Sequence, residues 1–437
     1  MKVNIIGAGL AGSEASYQLA KNGIEVNLFE MRPKKFTPAH KTEKFAELVC
    51  SNSLRSDDET HPAGILKKEL EELDSLLIKV AREYAIPGGR SLVVDREKFS
   101  NKITEILKSH PKINVINKEV KSISEINGIT IIATGPLTSE ALLNDLKEIT
   151  GNDNLYFFDA ISPIVEADSI DMNHAFYGSR YENRDDFINC PLTEEEYFKF
   201  INELKKAKTF PLREFEKEIH FEGCMPIEEM AKRGDLTLAY GPMKPVGLID
   251  PKTGKMPFSV VQLRKENKEG TAYNIVGFQT KMLISEQERV FRLIPCLKNA
   301  KFLRYGSMHK NIYINSPLVL NDDMSLKNRK DVFIAGQLSG VEGYIESIAH
   351  GLLVSLIVLF KIKGKEFPFP ENSFAIGSLY RFLREEKENF QPSNINFGLF
   401  KYPKEFRKIK NIKLKRKKIA EFSWKNFQSW KEKLTKS

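Results

Sequence analysis

Cysteine is scarce and scattered. Only Cys50, Cys190, Cys224 and Cys296 occur in 437 residues, with no C-x-x-C and no histidine at zinc spacing. That pattern speaks against a metal site and against a disulfide framework, and it favours a reducing compartment. Long apolar runs are missing as well. The longest, Gly351 to Phe360, is too short for a hydrocarbon core about 30 Å thick, so no membrane span is expected. The N-terminus runs straight into a strand, so no secretory leader is expected either. Together these absences point to a cytoplasmic protein.

Positive charge, by contrast, is concentrated. The chain has 67 Lys and Arg against 58 Asp and Glu, a net charge of +9. Residues 401–437 hold fourteen of those bases and three of the acids, so that segment carries about +11 and everything before it about −2. A near-neutral body therefore ends in a basic tail. The length allows two or more domains with full cores, and an apolar fraction of 41% is ordinary for a globular protein.

The first thirty-two residues organise the rest. Val3-Asn4-Ile5-Ile6 is a short β-branched run, followed at once by Gly7-Ala8-Gly9-Leu10-Ala11-Gly12. Ser13 to Asn22 reads as a helix stopped by Gly23, Glu25 to Phe29 as a second strand, and Glu30 closes the unit. Strand, G-x-G-x-x-G, helix, strand and acid form the dinucleotide-binding fingerprint in its required context. Gly7 permits the tight turn, Gly9 admits a pyrophosphate to the backbone, and Gly12 lets helix and strand close. Free N–H groups and the positive end of the helix dipole hold the phosphates. Glu30 stands where a carboxylate accepts from an adenosine ribose, which suits FAD or NAD and repels a 2′-phosphate. No second fingerprint occurs, so no separate domain for tight nicotinamide binding is expected.

Further along, apolar positions from Ile65 to Val80 fall at helical spacing and predict one helix over 64–85. Ser91 to Val94 reads as a strand, and Asp95 as the N-cap of a helix reaching about Ser109. Asn114 to Ile116 and Val120 to Ile123 read as short strands. Ile129 to Ala133 is a buried strand ending in Ala133-Thr134-Gly135, a pattern that closes the first half of the nucleotide domain in two-dinucleotide flavoproteins. Residues 156–325 mix strand-like runs (Phe157 to Val165, Ser259 to Leu263, Tyr273 to Phe278) with helices such as Glu194 to Lys206. Asp331 to Gly336 is another buried strand. A Gly-rich turn through Gly343-Tyr344 then feeds the helix Ile345 to Phe360. The expected architecture is α/β: a Rossmann-type FAD-binding domain of the glutathione-reductase kind, 1–155 and 326–400, interrupted by an inserted α+β substrate domain, 156–325, and followed by the tail, 401–437.

Cys224 precedes Pro226, which suits the first turn of a helix ended by Gly234, so the helix dipole favours its thiolate while Glu228 and Glu229 oppose it. An inert buried cysteine is the competing reading. Cys50, between Leu48-Val49 and Ser51-Asn52-Ser53, is a second thiol or a core residue; Cys190 and Cys296 have no chemistry-bearing neighbours. His350 could meet a ligand, although a lone helical histidine is more often structural. In the tail, Lys413 to Lys418 precede Phe422, Trp424, Phe427 and Trp430. Bases interleaved with aromatics fit RNA phosphates and unstacked bases. A docked helix with a solvated basic side, or a membrane-surface helix, fits the same residues.

The chain resembles the folate- and FAD-dependent tRNA (uracil-5-)-methyltransferase family. The resemblance lies in Gly7–Gly12 with Glu30-Met31-Arg32-Pro33, and in Pro38-Ala39-His40 through Glu47 to Arg55. It continues in Asp159 to Val165, Phe221 to Pro226, Ala335-Gly336-Gln337-Leu338 with Gly343-Tyr344, and Asn396 to Phe400. It departs at Ser393, where methionine would stand, and in the basic extension past Phe400. The resemblance implies FAD reduced by NADH or NADPH, and methylenetetrahydrofolate as carbon donor to carbon five of a T-loop uridine in tRNA. It implies Cys224 as the nucleophile that adds to carbon six, and Cys50 as assisting base or second thiol. FAD would be bound by Gly7, Ala8, Gly9, Leu10, Ala11, Gly12, Glu30, Thr134, Gly135, Gly336, Gly343 and Tyr344, with folate near Tyr344 and His350. Two alternatives stay open: a relative sharing the flavin domain but acting on another RNA (the same chemistry on ribosomal RNA, or RNA modification at a wobble uridine as in the longer glucose-inhibited division family), and a flavoprotein without methyl transfer.

Overall fold

The computed structural model describes residues 2–153, 155–181, 184–210 and 225–436. A six-stranded sheet forms its base, in the order 325–326, 329–334, 130–132, 2–6, 25–30, 113–117. All neighbours are parallel except the first pair. Ile5 pairs with Leu28 on one side and Ile131 on the other, and Phe333 pairs with Ile131. A strand some two hundred residues downstream thus completes a sheet begun at the N-terminus. The central strands are the most deeply buried: Val3, Ile5, Ile131, Ile132, Val332, Phe333 and Ile334 lie in the core, whereas the strand 113–117 at one edge is half exposed.

The helix Leu10–Lys21 lies against Tyr344–Ile362 on this sheet. Their closeness depends on Gly351, where a Cβ would stand 2.3 Å from the Ala11 carbonyl oxygen. The 19-residue Tyr344–Ile362 helix corrects the expectation of too short an apolar run. It is long and apolar enough to cross a bilayer, yet 83% of its 18-residue apolar window is buried inside the protein, as in a core helix.

A second, antiparallel sheet runs 176–178, 187–192, 259–265, 272–275, 164–166, 302–304. It has its own core around Tyr197, Phe200, Phe278 and Phe291. An antiparallel ribbon of Leu155–Ile161 with Ser307–Tyr313 leads into and out of this region.

Three expectations change. The single helix over 64–85 is two, Pro62–Glu72 and Leu76–Glu83. Asp74 takes φ +57°, Ser75 caps the second helix, and the buried Glu14 carboxylate accepts from Leu76 N–H at 3.2 Å and Leu77 N–H at 3.0 Å. Val120 to Ile123 is no strand; Ser122 and Glu125 form a capping box around a 3-10 turn, Ile123–Glu125. Cys190 and Cys296 are joined by a disulfide with Cα atoms 5.9 Å apart, because the strand 187–192 and the turn 295–297 meet in the second core. The expectation of unpaired cysteines fails for these two.

The tail is a helix, Ile412–Lys436, docked on the first core through Ile419, Phe427 and Trp430. Trp430 Nε1 donates to the Pro368 carbonyl at 2.6 Å, and Phe427 meets Phe374 edge-on at 5.8 Å.

Candidate active site

The fingerprint turn shows why its glycines are needed. A Cβ at Gly12 would fall 1.8 Å from the Gly7 carbonyl oxygen, and one at Gly7 (φ +100°) would fall 2.7 Å from that of Ala133. At Gly9, the N-cap of the helix, a Cβ would meet nothing within 4 Å. Gly7 and Gly12 are therefore packed against backbone, while Gly9 faces an open cleft of about 550 Å³ bordered by Glu30, Arg32, Thr134 and Thr138. An open N–H face at a helix N-terminus beside an acid is the cradle a dinucleotide needs.

Glu30 has a second task. Its Oε2 accepts from Ala8 N–H at 3.0 Å, and the buried Arg32 grips both its oxygens at 3.0 and 3.2 Å. Burial pushes the Glu30 carboxyl up, but the Arg32 hydrogen bonds and charge outweigh it, so the net shift is downward and the group is ionised at neutral pH. Ala8, Leu10, Ala11 and Gly12 form the packed back of the turn.

A larger cavity of about 1160 Å³ lies beyond, and Leu137 borders both spaces. Its walls come from distant parts of the chain, among them Cys50, Ser51 and Arg55, Pro136 with Leu137, Asp159, Gln279, His309 with Asn311, and Gln337 with Glu342, Gly343 and Tyr344. Two adjoining spaces with a common wall fit the two halves of FAD.

The loop bearing Cys50 is held from several sides. Tyr344 Oη accepts from Cys50 N–H at 2.7 Å and Ser51 N–H at 3.2 Å. Arg304 donates to the carbonyls of Val49 and Cys50 at 3.1 and 2.9 Å, and Arg264 to Ser51 Oγ at 2.7 Å. Arg96 reaches the Leu48 carbonyl and pairs with Glu266. Burial, with help from Asp159, pushes the Cys50 thiol up to about 12 against the pull of Arg304 and Arg96. The neutral thiol is therefore favoured at neutral pH.

Carboxyls line the same cavity. Burial and the neighbouring Asp159 push Glu342 well above the usual range. Behind the wall, the fully buried Glu346 pairs with the cavity-lining Arg55 at 2.6 Å and accepts from Ile395 N–H. His309 sits opposite Asp159 across the ribbon, and burial lowers it to about 4, leaving a neutral imidazole.

The predicted residues divide as follows. Gly7, Gly9, Glu30 and Thr134 border the first cleft; Cys50, Gly343 and Tyr344 border the second cavity. Gly135 (φ +69°) and Gly336 (φ +75°) shape turns beside them. His350 lines neither space: it is fully buried, with Nδ1 accepting from Gly336 N–H at 3.1 Å. Cys224 lies outside the described residues. Sequence reasoning missed His309, Asn311, Glu342 as a buried acid, and the three arginines. The alternation of Ser307–Tyr313, which puts His309 and Asn311 on one face, was the available signal for two of them.

The chain matches the family described as Glucose inhibited division protein A over residues 2–366. It is 56% identical over 401 residues to the "Methylenetetrahydrofolate--tRNA-(uracil-5-)-methyltransferase TrmFO" of Bacillus licheniformis, covering 91% of this chain and 92% of that protein. With the protein of the same name from Persephonella marina it is 52% identical over 434 residues, covering 97% of this chain and 100% of that one. That alignment takes in most of residues 401–437, so the relative has a counterpart to this segment. Among solved structures, GidA of Aquifex aeolicus superposes with a TM-score of 0.69 at 16% identity, over 99% of this chain and 78% of that one. The two share the α/β, Rossmann-type fold.

Proposed function

The chain belongs to the methylenetetrahydrofolate–tRNA-(uracil-5-)-methyltransferases of the Glucose inhibited division protein A family, and we propose on that footing how its residues divide the reaction. The protein is an FAD-dependent enzyme that moves the methylene of methylenetetrahydrofolate to carbon five of a uracil in tRNA. Bound FAD, reduced by NADH or NADPH, supplies the electrons that turn methylene into methyl. Gly7, Gly9, Glu30 and Thr134 would hold its adenosine diphosphate half; Gly343, Tyr344 and the Cys50 loop would border its flavin half. We take residues 1–155 and 326–400 as the FAD-binding unit and 156–325 as the substrate unit.

Uracil carbon five is a poor nucleophile until a thiolate adds at carbon six. We assign that thiolate to Cys224. Support comes from the chain just beyond it: Ile227 N–H donates at 2.7 Å to the carbonyl of Gln279, and Gln279 lines the Cys50 cavity. Cys50 borders the cavity as the assisting base or second thiol; burial disfavours the thiolate it would need as a base, and the charges of Arg304 and Arg96 favour it. The observation that carries this reading is the clamped Cys50 loop on a cavity sharing a wall with the fingerprint cleft. For folate, His309 on that cavity replaces the buried His350 in our reading.

The target is a T-loop uridine of tRNA rather than ribosomal RNA, in keeping with the relatives' names, and the compartment that suits it is the cytoplasm. Replacing Cys224 with alanine tests the assignment. Methyl transfer should collapse with FAD still bound; unchanged turnover would remove Cys224 as the nucleophile.

A further inference from the structure

The basic C-terminal segment has no part in the chemistry above, yet its placement is tightly determined. Ile419, Phe427 and Trp430 bury one side of the helix Ile412–Lys436 against the core. Lys431 pairs with Glu72 at 2.6 Å, and Lys68 lies over the Trp424 ring at 4.6 Å. The other side is left to solvent. Lys413 and Arg416 in the first turns of the helix, and Lys408 at the end of the preceding turn Lys404–Lys408, are exposed and make no ion pair among the described residues. Like charges crowded without partners hold a layer of counterions, and releasing those counterions favours binding of a polyanion.

The direction of this face matters. The helix runs alongside Pro62–Glu72, with Lys431 at Glu72 and Ser423 at Glu69, so its basic first turns lie toward Pro62 and the strand Ser53–Ser56 just before it. Arg55 lines the Cys50 cavity. The basic face therefore leads toward the mouth of the reaction cavity.

We propose that Lys408, Lys413 and Arg416 form a phosphate-binding track that seats the RNA backbone beside the Cys50 cavity. This rests on the tRNA reading above and goes beyond it by naming the surface. A membrane fits less well. A surface helix needs a free apolar face to insert, and here that face is buried in the core, leaving only Ile412 and Leu414 exposed in the first turn.

The test uses the full-length protein carrying Lys408→Gln, Lys413→Gln and Arg416→Gln. A control carries Lys79→Gln, Lys112→Gln and Lys298→Gln, the same loss of charge at exposed sites elsewhere. Affinity for unmodified tRNA is measured across a salt series, with FAD content and RNA-independent NADPH oxidation as checks of fold. Each lost phosphate contact lowers the salt slope by about 0.7–0.9, so the track variant should lose about 2–3 in slope. It should bind on the order of 10–100-fold more weakly at 0.1 M salt. The control should keep the parental slope, and both variants their FAD. A track variant with parental affinity and slope, or a control that weakens as much, overturns the proposal while the tRNA reading stands. Loss of binding to phosphatidylglycerol vesicles with RNA binding intact overturns it in favour of a membrane. An unsubstituted protein that binds no tRNA overturns both.

Discussion

Tyr344→Phe removes one oxygen and should loosen the loop that presents Cys50. The phenol oxygen accepts from Cys50 N–H at 2.7 Å and Ser51 N–H at 3.2 Å, and phenylalanine keeps the ring while leaving both donors unpaired. A buried donor left unsatisfied costs about 1–3 kcal/mol. The loop borders a cavity, so water can satisfy one of the two, and the net cost is about 1–3 kcal/mol. That raises the open population of the loop by about 5- to 150-fold. Cys50 reports it directly, because a thiol pushed up to about 12 by burial reacts slowly while the loop is closed. Alkylation by N-ethylmaleimide, followed by peptide mass mapping to separate Cys50 from Cys224, should accelerate by that factor. Global stability should fall by no more than the same about 1–3 kcal/mol, since the arginines still hold the Val49 and Cys50 carbonyls. An alkylation rate at Cys50 within twofold of the parent would refute the claim that Tyr344 holds this loop.

Gly9→Ala and Gly12→Ala should fail differently. The first places a methyl in open space within the cleft, so the protein should fold with near-normal thermal stability but lose FAD on gel filtration; retained FAD would contradict the cradle. The second drives a Cβ to 1.8 Å from the Gly7 carbonyl oxygen and should cost about 1–3 kcal/mol or more in urea unfolding, with FAD lost as well. Glu69, fully buried beneath the helix Ala375–Phe382, gives a pH signature: burial pushes it from 4.5 up to about 8, although Ala375 and Ile376 N–H bonds oppose that. Because the folded value is the higher, its contribution is complete below pH 4.5 and is lost as pH rises toward about 8, at up to about 1.4 kcal/mol per unit. Glu69→Gln should flatten that part of the stability–pH profile, and an unaltered slope would contradict the burial argument.

What could be read from the sequence was what short-range spacing encodes. The fingerprint, the Asp95 cap and the helix Glu194–Lys206, with its Thr193–Glu196 capping box, each depend on residues within a few positions of one another. The break at Asp74-Ser75 stayed hidden because the apolar period from Ile65 to Val80 runs through it. The break is set by Glu14, sixty residues away, which accepts the freed N–H groups. The Cys190–Cys296 pairing has the same character, with a sequence separation of 106 between partners. At the site, motifs led to Cys50, Gly343 and Tyr344. The arginines that hold the Cys50 loop come from positions 96, 264 and 304, in stretches with no motif of their own. His309 reaches the cavity only because its strand pairs with one about 150 residues earlier. His350 looked available because helical periodicity does not show which neighbour covers a face; Gly336 and Ser339 cover it.

One-carbon transfer from labelled methylenetetrahydrofolate tests the central claim most directly. The protein would be supplied with FAD, NADPH and either unmodified tRNA or unmodified ribosomal RNA fragments. Label recovered as 5-methyluridine in the T-arm of tRNA, dependent on Cys224, is the predicted result. Label only in ribosomal RNA, or none from a protein that holds FAD and oxidises NADPH, would contradict it.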